Sequence, residues 1–335
     1  MKHVLIGILF LGAVSFTQAQ RVEEGAVLPT RQTPVHDPVM IKEGDTWYLF
    51  CTGFGISVWS SKNMQEWKKE KPVFEKAPEW AVAIIPGYRG HTWAPDIHYV
   101  NGTYYLYYSV SAFGKNTSCI GLATNKTLNP DSPDFKWEDH GKVIQSVPGR
   151  DMWNAIDPNL VMDEQQTPWL VFGSFWSGIK LVKLNANLDD VSDPPMWTTV
   201  ATRRRSFDIP DTVAGDAAIE APFIFHHGDY YYLFVSFDYC CRGPNSTYKV
   251  VVGRSQSLAG PYLDKENRPM TGGGGSIVVQ GDQEWYGVGH NAAYTFDGKD
   301  YLIYHGYDAK DNGRSKLIIR PMQWDAQDWP VMADR

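Results

Sequence analysis

Short apolar runs, each followed by a polar turn and then by an aromatic-rich run, recur along the chain. Each pair of runs has the length and composition of two β-strands, and the turn often contains glycine, so each pair is a predicted β-hairpin. The five hairpin segments are DPVMIKEGDTWYLFCTG from residue 37, APDIHYVNGTYYLYYSVS from 94, DPNLVMDEQQTPWLVFGSF from 157, APFIFHHGDYYYLFVSF from 221 and HNAAYTFDGKDYLIYHGY from 290. They begin about sixty residues apart, which indicates an internal repeat.

A third apolar strand follows each hairpin, with the sequences GISVWSS, CIGLATN, GIKLVKL, KVVVGRS and KLIIRPM. After several of these comes a tryptophan-containing strand or turn, as in MQEWKKE and DFKWEDHG. Four short antiparallel strands per repeat are typical of one blade of a β-propeller. The pattern therefore predicts an all-β fold, a five-bladed β-propeller with four antiparallel strands per blade. Long helical periodicity is absent from the sequence, which argues against an α/β barrel.

The first residues carry a different pattern, MKHVLIGILFLGAVSFTQAQ, in which a lysine precedes an apolar run and small or polar residues end it. This arrangement is typical of a secretory signal peptide, and TQA before Gln20 resembles a cleavage site. We therefore expect a signal peptide over residues 1–19 and a single propeller domain over residues 20–335. The expected location is periplasmic or extracellular, without membrane insertion, because the apolar run is short and no later stretch is as hydrophobic.

Composition narrows the class of partner. The chain has 335 residues, 43% of them hydrophobic, and a formal net charge of -7, so nucleic acid is not an expected partner. The arginine run at 203–205 is expected to be a solvated loop. Four cysteines are few for a secreted chain, so disulfides are not expected to form the framework. Cys51 and Cys119 are expected to be buried, whereas the adjacent Cys240 and Cys241 either pair or stay free.

Carboxylates and a histidine stand at the start of the first strand in most repeats, several of them beside a proline. In a propeller this strand lines the central channel, so these positions should meet at one mouth of the channel. The positions carry Asp37, the WAPD stretch, Asp157, Glu220 and His290. A single Asp-Pro pair is usually a turn device. Three carboxylates and a histidine in one phase of a repeat, however, are costly to desolvate unless they have a chemical role.

Two carboxylates in different ionisation states suit the hydrolysis of a glycosidic bond, with one as proton donor and the other as base or nucleophile. Glu220 lies between Ile219 and an Ala-Pro-Phe segment, and this apolar surrounding favours its neutral form, so it is the predicted acid. Asp37 follows a polar histidine and is the predicted ionised base. Asp157 is expected to stay ionised near Glu220, which favours the protonated form of that acid and orients it.

The chain resembles glycoside hydrolase family 43, and within it the endo-1,5-α-L-arabinanases, from about residue 33 to the C-terminus. The segments that carry the resemblance are VHDP, WAPDIHYVNGTYYLYYSVSAFG, NAIDPN, GSFWSGI, IEAPFI and GHNAAYTFDGKDYLIYHGYDA, in this order and spacing. The resemblance implies a propeller enzyme that cleaves internal α-1,5-L-arabinofuranosyl linkages of arabinan, a side chain of pectin, with inversion. It implies Asp37 as general base, Asp157 as the residue that tunes and orients the acid, and Glu220 as general acid. Inversion needs roughly 6.5–9.5 Å between acid and base carboxyls.

The resemblance also implies residues that bind substrate and a metal ion. Trp93 and Phe113 match positions that lie against sugar rings, whose C–H surfaces suit aromatic faces. The residues that match subsites flanking the cut are Asn154, Ser174, Phe175 and Trp176. His290 is implied to face a metal ion, expected to be one calcium ion or another cation at the channel, with waters completing its shell. The role of this ion would be to hold the charges of the site in place.

We expect the chain to be a monomer. Two alternative functions stay open at the level of sequence. An exo-acting α-L-arabinofuranosidase or a β-xylosidase can use the same scaffold, and it would differ from an endo enzyme in the depth of its pocket. The SFWSG segment favours the endo mode. A non-catalytic carbohydrate-binding propeller would keep the aromatic residues but has no need for three acids in phase.

Overall fold

The computed structural model describes residues 22–333, so the predicted signal peptide lies outside the described residues. Within them the backbone forms five antiparallel sheets, which we number as blades 1 to 5 in chain order. The helices are α1 (Glu79–Ile84) and three short 3-10 helices at Thr30–Gln32, Gly243–Asn245 and Met270–Gly272. None of the helices in this part of the chain is long and apolar enough to cross a membrane.

The strands of each blade are consecutive or nearly so. Blade 1 contains β1 (Val27–Pro29), β2 (Val39–Glu43), β3 (Thr46–Cys51), β5 (Ser57–Ser61) and β6 (Glu66–Lys69). Blade 2 contains β4 (Gly53–Phe54), β7 (His91–Val100), β8 (Thr103–Val110), β9 (Ser118–Asn125) and β10 (Glu138–Ser146). Blade 3 contains β11 (Asn159–Met162), β12 (Pro168–Phe172), β13 (Ile179–Lys183) and β14 (Trp197–Ala201). Blade 4 contains β15 (Ile219–His227), β16 (Tyr230–Phe237), β17 (Lys249–Ser255) and β18 (Ser276–Gln280). Blade 5 contains β19 (Trp285–Phe296), β20 (Lys299–Asp308), β21 (Arg314–Trp324) and β22 (Pro330–Met332).

The all-β, five-bladed propeller predicted from the repeat is confirmed, but the number of strands per blade needs a correction. Blades 3, 4 and 5 have four strands, whereas blades 1 and 2 have five. In blade 1 the N-terminal strand β1 pairs with β6 on the outer edge. In blade 2 the two-residue strand β4 pairs with the start of β7. Both additions are too short to carry a period of alternating residues, so the sequence pattern does not reveal them.

The aromatic-rich strands are buried on both faces because each blade is packed between two others. In β8, Leu106 and Tyr108 belong to the hydrophobic cluster shared with blade 1, and Tyr107 belongs to the cluster shared with blade 3. Successive side chains of a strand point to opposite faces, so a strand covered on both sides is apolar throughout. Cys51 and Cys119 are free and buried in such strands, as predicted.

Blade 5 meets blade 1 by side-by-side packing, and each of the two sheets is built from one end of the described chain. Leu317 N–H in β21 donates to the carbonyl oxygen of Thr33, just before β2, at 3.0 Å. Met40 N–H in β2 donates to the hydroxyl of Tyr294 in β19 at 3.2 Å. The ring is therefore closed by hydrogen bonds and packing between the first and the last blade.

Candidate active site

One residue near the start of the innermost strand of each blade has a left-handed backbone conformation. These residues are Asp37, Ala94, Asp157, Ala221 and His290, with φ of 56°, 39°, 58°, 54° and 52°. Residues other than glycine seldom adopt positive φ. Their occurrence at one place in all five blades makes this turn a repeated feature of the fold. Bulges follow it in β7, β15 and β19, where the register with the second strand shifts.

This alignment corrects one detail of the predicted repeat. Gly289 pairs with His305 just as Glu220 pairs with Ser236, so His290 is equivalent to Ala221. In blade 4 the repeated position is Ala221, so Glu220 stands one residue before it. In blade 5 the residue equivalent to Glu220 is Gly289, and His290 is at the repeated position. The sequence pattern defines the phase of a hairpin only to about one residue, because a bulge at the strand start shifts which side chains face the channel.

The backbone N–H of each repeated residue donates to a side chain of a neighbouring blade, and we call these contacts the interblade hydrogen bonds. The acceptors are His305 Nδ1 for Asp37 (3.2 Å), Thr52 Oγ1 for Ala94 (2.9 Å), Ser109 Oγ for Asp157 (3.0 Å), Asp157 Oδ2 for Ala221 (3.1 Å) and Ser236 Oγ for His290 (2.8 Å). Four of these acceptors lie in or just after the second strand of the preceding blade. The acceptor for Ala221 is the exception, because Asp157 lies just before the first strand of blade 3. Ser174, just after the second strand of blade 3, instead donates to Glu220.

Asp37 is buried and receives three side-chain hydrogen bonds. His36 Nδ1 lies 2.7 Å and His290 Nδ1 3.0 Å from its Oδ1, and the Thr52 hydroxyl donates to its Oδ2. Burial raises the pKa of Asp37, but His290 and His36 lower it by more, so that this pKa lies well below its usual value. Asp37 is therefore ionised at neutral pH, which is the state that a general base requires.

Glu220 is held by two hydroxyl groups from different elements. Ser174 donates to its Oε2 and Tyr248 to its Oε1, each at 2.7 Å. Burial raises the pKa of Tyr248 well above its usual value, so its hydroxyl keeps its proton and acts as a donor. The two bonds fix the orientation of the carboxyl group, which the sequence could not define.

Asp157 interacts with both other acids. Burial raises its pKa to about 8, the negative charges of Glu220 and Asp37 add to the rise, and His290 opposes it. The sequence led us to expect an ionised Asp157, but burial and two neighbouring carboxylates favour its protonated form at neutral pH. Asp157 therefore holds a proton at neutral pH, next to the negative charge of Glu220.

His290 is buried with its Nδ1 directed at Asp37, and its Nε2 makes no hydrogen bond within residues 22–333. Burial lowers the pKa of His290, but the carboxylates of Asp37, Asp157 and Glu220 raise it by more, to about 9. The same carboxylates therefore favour a positive charge at Nε2, whether a proton or a metal ion.

The surroundings of His290 fit a metal ligand in two respects. Histidines that bind a metal commonly donate their other ring N–H to a carboxylate, as His290 Nδ1 can to Asp37. The side-chain oxygen and nitrogen of the neighbouring Asn291 are buried and have no hydrogen-bond partner among the described residues. Buried polar atoms of this kind usually contact water or an ion.

The residues predicted to contact sugars differ in exposure. Phe113 is 80% exposed in the loop after β8. Trp93 is partly exposed and its Nε1 donates to His91 Nδ1 at 2.9 Å. Phe175 is partly exposed, with its ring centre 6.1 Å from that of Tyr239. These three aromatic rings have surface available for a sugar.

Asn154, Ser174 and Trp176 are buried. Trp176 is 2% exposed and its Nε1 donates to the carbonyl oxygen of Asp211 at 2.8 Å, which leaves little of the ring for stacking on a sugar. Asn154 accepts a hydrogen bond from Ser118 at 2.6 Å. Ser174 donates directly to Glu220, whereas Asn154 and Trp176 contact Ser118 and Asp211.

Several residues that contact the acids, directly or through one neighbour, were not assigned a role from the sequence. They are His36, Tyr248, His305 and Tyr307. His36 had a signal, since it precedes Asp37 in the VHDP segment, and the YHGY end of the last hairpin contains two of the others. Tyr248 had none, because it lies in the loop after the cysteine pair. Cys240 and Cys241 form a disulfide, which decides between the two alternatives left open for them.

The matched segments extend over most of the chain. The family model for glycosyl hydrolases family 43 matches residues 28–330. The chain belongs to glycosyl hydrolase family 43. This result confirms the resemblance drawn from the sequence motifs, and it makes the chain a glycoside hydrolase.

Relatives of this family 43 member carry two different modes of action in their names. An extracellular exo-α-(1→5)-L-arabinofuranosidase of Cellvibrio japonicus is 54% identical over 305 residues, which cover 91% of this chain and 88% of the relative. An extracellular endo-α-(1→5)-L-arabinanase of Bacillus subtilis is 43% identical over 300 residues, covering 88% and 87%. The structure of a Cellvibrio cellulosa α-L-arabinanase with arabinohexaose superposes with a TM-score of 0.88 at 53% identity, covering 90% of this chain and 96% of that one.

Proposed function

We propose that this family 43 member is a secreted hydrolase of α-1,5-linked arabinan that acts with inversion. The names of both relatives specify the α-1,5 linkage and an extracellular location, and the related arabinanase was solved with arabinohexaose. One observation of the site carries the proposal. Asp37, which His36 and His290 contact and hold ionised, lies within electrostatic range of Asp157, and Asp157 holds a proton close to Glu220.

In this mechanism Glu220 gives its proton to the leaving glycosidic oxygen while Asp37 takes a proton from the attacking water. The water oxygen bonds to the anomeric carbon on the face opposite to the bond that breaks, which inverts the configuration. Asp157 keeps a proton close to Glu220 by disfavouring the doubly ionised pair. Ser174 and Tyr248 orient the acid through their hydroxyl groups.

Replacing Glu220 by Gln tests the acid role. The amide keeps the shape of the side chain but has no acidic proton, so turnover on linear arabinan should fall by about 10²- to 10⁴-fold. Binding of arabinan, measured by calorimetry, should be retained. Turnover that stays at the level of the unmodified enzyme would contradict the role of Glu220. A non-catalytic carbohydrate-binding propeller would show no turnover before the substitution.

The enzyme can cleave arabinan inside the chain, in the endo mode, or from a chain end, in the exo mode. The endo mode predicted from the sequence stays a prediction, supported by the relative at 43% identity. We favour the exo mode, because the relative that is 54% identical over a similar length is named as exo-acting. An exo enzyme should release short products from the outset while the viscosity of linear arabinan falls slowly. A viscosity that falls faster than reducing ends appear would establish the endo mode instead.

We also propose that one calcium ion binds at Nε2 of His290, with waters completing its shell. The contact of Nδ1 with Asp37 and the unpartnered amide of Asn291 support this site. The positive charge of the ion would offset the repulsion among the three carboxylates. Removal of calcium by a chelator should lower the melting temperature, and added calcium should restore it. His290→Ala should abolish this response, and unmodified protein that responds to neither chelator nor calcium would contradict the site.

A further inference from the structure

The hydroxyl of Tyr307 has one proton to donate but lies within hydrogen-bond distance of three nitrogen atoms. Cys241 N lies 2.8 Å from it, His36 Nε2 2.8 Å and His305 Nε2 3.2 Å. A tyrosine hydroxyl donates one hydrogen bond and accepts up to two. Because Cys241 N–H is a backbone donor, it must occupy one of the two acceptor positions. The direction of the other two bonds depends on which ring nitrogens of the histidines carry a proton.

The backbone of Asp37 defines the tautomer of His305. Asp37 N–H donates to His305 Nδ1 at 3.2 Å, so this nitrogen carries no proton. An imidazole ring without a proton on Nδ1 is neutral and carries its proton on Nε2. His305 Nε2–H is therefore the second donor to Tyr307. His36, Asp37 and His305 lie close enough together to hold a metal ion. However, His305 Nδ1 already accepts a hydrogen bond from Asp37 N–H.

The Ser246 side chain also contacts the Tyr307 hydroxyl, but its oxygen already accepts the Arg242 N–H at 3.1 Å. The acceptor that remains for the Tyr307 proton is therefore Nε2 of His36, at 2.8 Å. Burial raises the pKa of Tyr307, so this proton stays on the hydroxyl. His36 accordingly accepts at Nε2 and carries its proton on Nδ1, which lies 2.7 Å from Asp37 Oδ1. The opposite tautomer would place a lone pair against the carboxylate of Asp37 and a third donor at Tyr307.

We propose that Tyr307 is a positioning residue for the general base: its hydroxyl, directed by Cys241 N–H, selects the Nδ1–H tautomer of His36, and this tautomer holds Asp37 in place. The inference rests on the proposed role of Asp37 in hydrolysis. The hydrogen-bond chain runs from Cys241 through Tyr307 and His36 to Asp37, and every bond in it points towards the carboxylate.

The first donor of this chain lies in a restrained piece of backbone. The disulfide between Cys240 and Cys241 closes a small ring through the peptide that joins them, which limits the directions available to Cys241 N–H. The same loop leads to Tyr248, whose hydroxyl donates to Glu220. This loop of blade 4 therefore contacts the acid Glu220 through Tyr248, and through Cys241 it contacts Tyr307, the partner of His36.

The tautomer of His36 can be measured without reference to catalysis. In protein labelled with ¹⁵N-histidine, long-range ¹H–¹⁵N spectra should show His36 protonated at Nδ1 and unprotonated at Nε2, with the signal assigned by its loss in His36→Gln. Tyr307→Phe removes the hydroxyl but keeps the ring, so His36 Nε2 loses its hydrogen-bond donor and its ¹⁵N shift should move to that of a ring nitrogen without one. An Nε2–H tautomer in the unmodified protein, or an unchanged His36 signal in Tyr307→Phe, would overturn the inference.

The kinetic consequence is a selective loss of turnover. Tyr307→Phe should lower kcat on α-1,5-arabinan by about 10- to 100-fold, the usual effect of losing the partner that orients a functional histidine. KM should change little, because Tyr307 acts through His36 and Asp37. Tyr301→Phe is the matched control in the same strand, since the Tyr301 hydroxyl has no hydrogen bond within residues 22–333. An equal loss in Tyr301→Phe would show a structural effect and contradict the positioning role.

Reduction of the disulfide provides an independent arm of the test. A water-soluble phosphine converts the cystine to two thiols and is itself oxidised to the phosphine oxide, and Cys51 and Cys119 are already free and buried. The His36 signal should then move in the same direction as in Tyr307→Phe, and its failure to move would exclude the disulfide from the chain of contacts. If the enzyme proves inactive on arabinan, the proposed function fails, while the tautomer measurement still decides this inference.

Discussion

At the scale of single residues, the ionisation state of each aspartate in the site is set by its neighbours. Asp37 and Asp157 have the same side chain and the same left-handed backbone, yet one pKa lies well below its usual value and the other is raised to about 8. Burial raises both. The difference arises because Asp37 contacts two histidines, whereas Asp157 accepts a backbone N–H from Ala221 and is close to two other carboxylates.

The hydrogen bond from Tyr248 to Glu220 is expected to matter for turnover. Tyr248→Phe leaves the carboxyl with Ser174 as its one hydroxyl partner, so we expect kcat to fall by roughly tenfold, equivalent to about 1.4 kcal/mol. The control is Tyr262→Phe in the same blade, where a buried hydroxyl donates to the carbonyl oxygen of Leu258. That variant should lose stability but keep its kcat. Equal kcat values for both variants would contradict a role for Tyr248 in orienting Glu220.

Asp238, just after β16, should make a pH-dependent contribution to stability. Arg203 and Lys249 lie 2.7 and 2.8 Å from its carboxylate. Burial raises the pKa of Asp238, but Lys249 and Arg203 lower it by more, so its folded value lies below the unfolded one. The stabilisation is therefore present above the unfolded pKa of about 3.9 and is lost as pH falls through the folded value.

Asp238→Asn should accordingly lower the melting temperature at pH 7 by roughly 2–4 °C, the effect of ~1 kcal/mol in a domain of about this size. The difference from the unmodified protein should shrink as pH approaches 3, as measured by calorimetry. Asp45→Asn in the exposed turn between β2 and β3 should leave the melting temperature nearly unchanged at both pH values. A difference for Asp238→Asn that grows on acidification would show that the sign is wrong.

At the scale of strands and turns, the interblade hydrogen bonds hold the left-handed residues in place. Ser109→Ala removes the acceptor of Asp157 N–H, and Ser236→Ala removes that of His290 N–H. Each change leaves a buried N–H unpaired, so the free energy of unfolding should fall by about 1–3 kcal/mol in urea denaturation. Ser257 is exposed, and Ser257→Ala should change this free energy by no more than about 0.5 kcal/mol. Equal stabilities of the three variants would remove the structural role of these bonds.

The hairpins were predictable from the sequence because a strand buried on both faces, such as β8, must be apolar along its whole length. The place where the acids converge was predictable because the repeat aligns them to within one residue. The residues that hold the acids were not, since no local pattern joins Tyr307 to His36, which is 271 residues away in the sequence. For the same reason the sequence did not show that Asp157 gains a proton, which depends on burial and on charges from other blades.

At the scale of the whole molecule, the site draws one group from each of four blades. Asp37 belongs to blade 1, Asp157 to blade 3, Glu220 to blade 4 and His290 to blade 5, so the contact between Asp37 and His290 crosses the junction where the ring closes. The stability of this junction should therefore limit the activity of the enzyme.

Removal of residues 22–32 tests this dependence, because it deletes β1 and the 3-10 helix Thr30–Gln32 that packs against β21. A chain that starts at Thr33 should melt at a lower temperature than one that starts at residue 22, and heat should abolish its activity over the same temperature range as its structure. Arg31→Ala is the matched control. It removes an exposed ion pair with Glu284, whose contribution should not exceed about 1 kcal/mol. A truncated chain with unchanged melting would show that β1 is dispensable for closing the ring.

The distribution of the reactive groups over separate blades also has a consequence for how the activity is acquired. A chain with some blades assembled contains ordered hairpins but no complete pair of acid and base beside His290. During refolding from urea, turnover should therefore reappear only with the last structural phase. A single blade therefore cannot supply the acid, the base and His290 together.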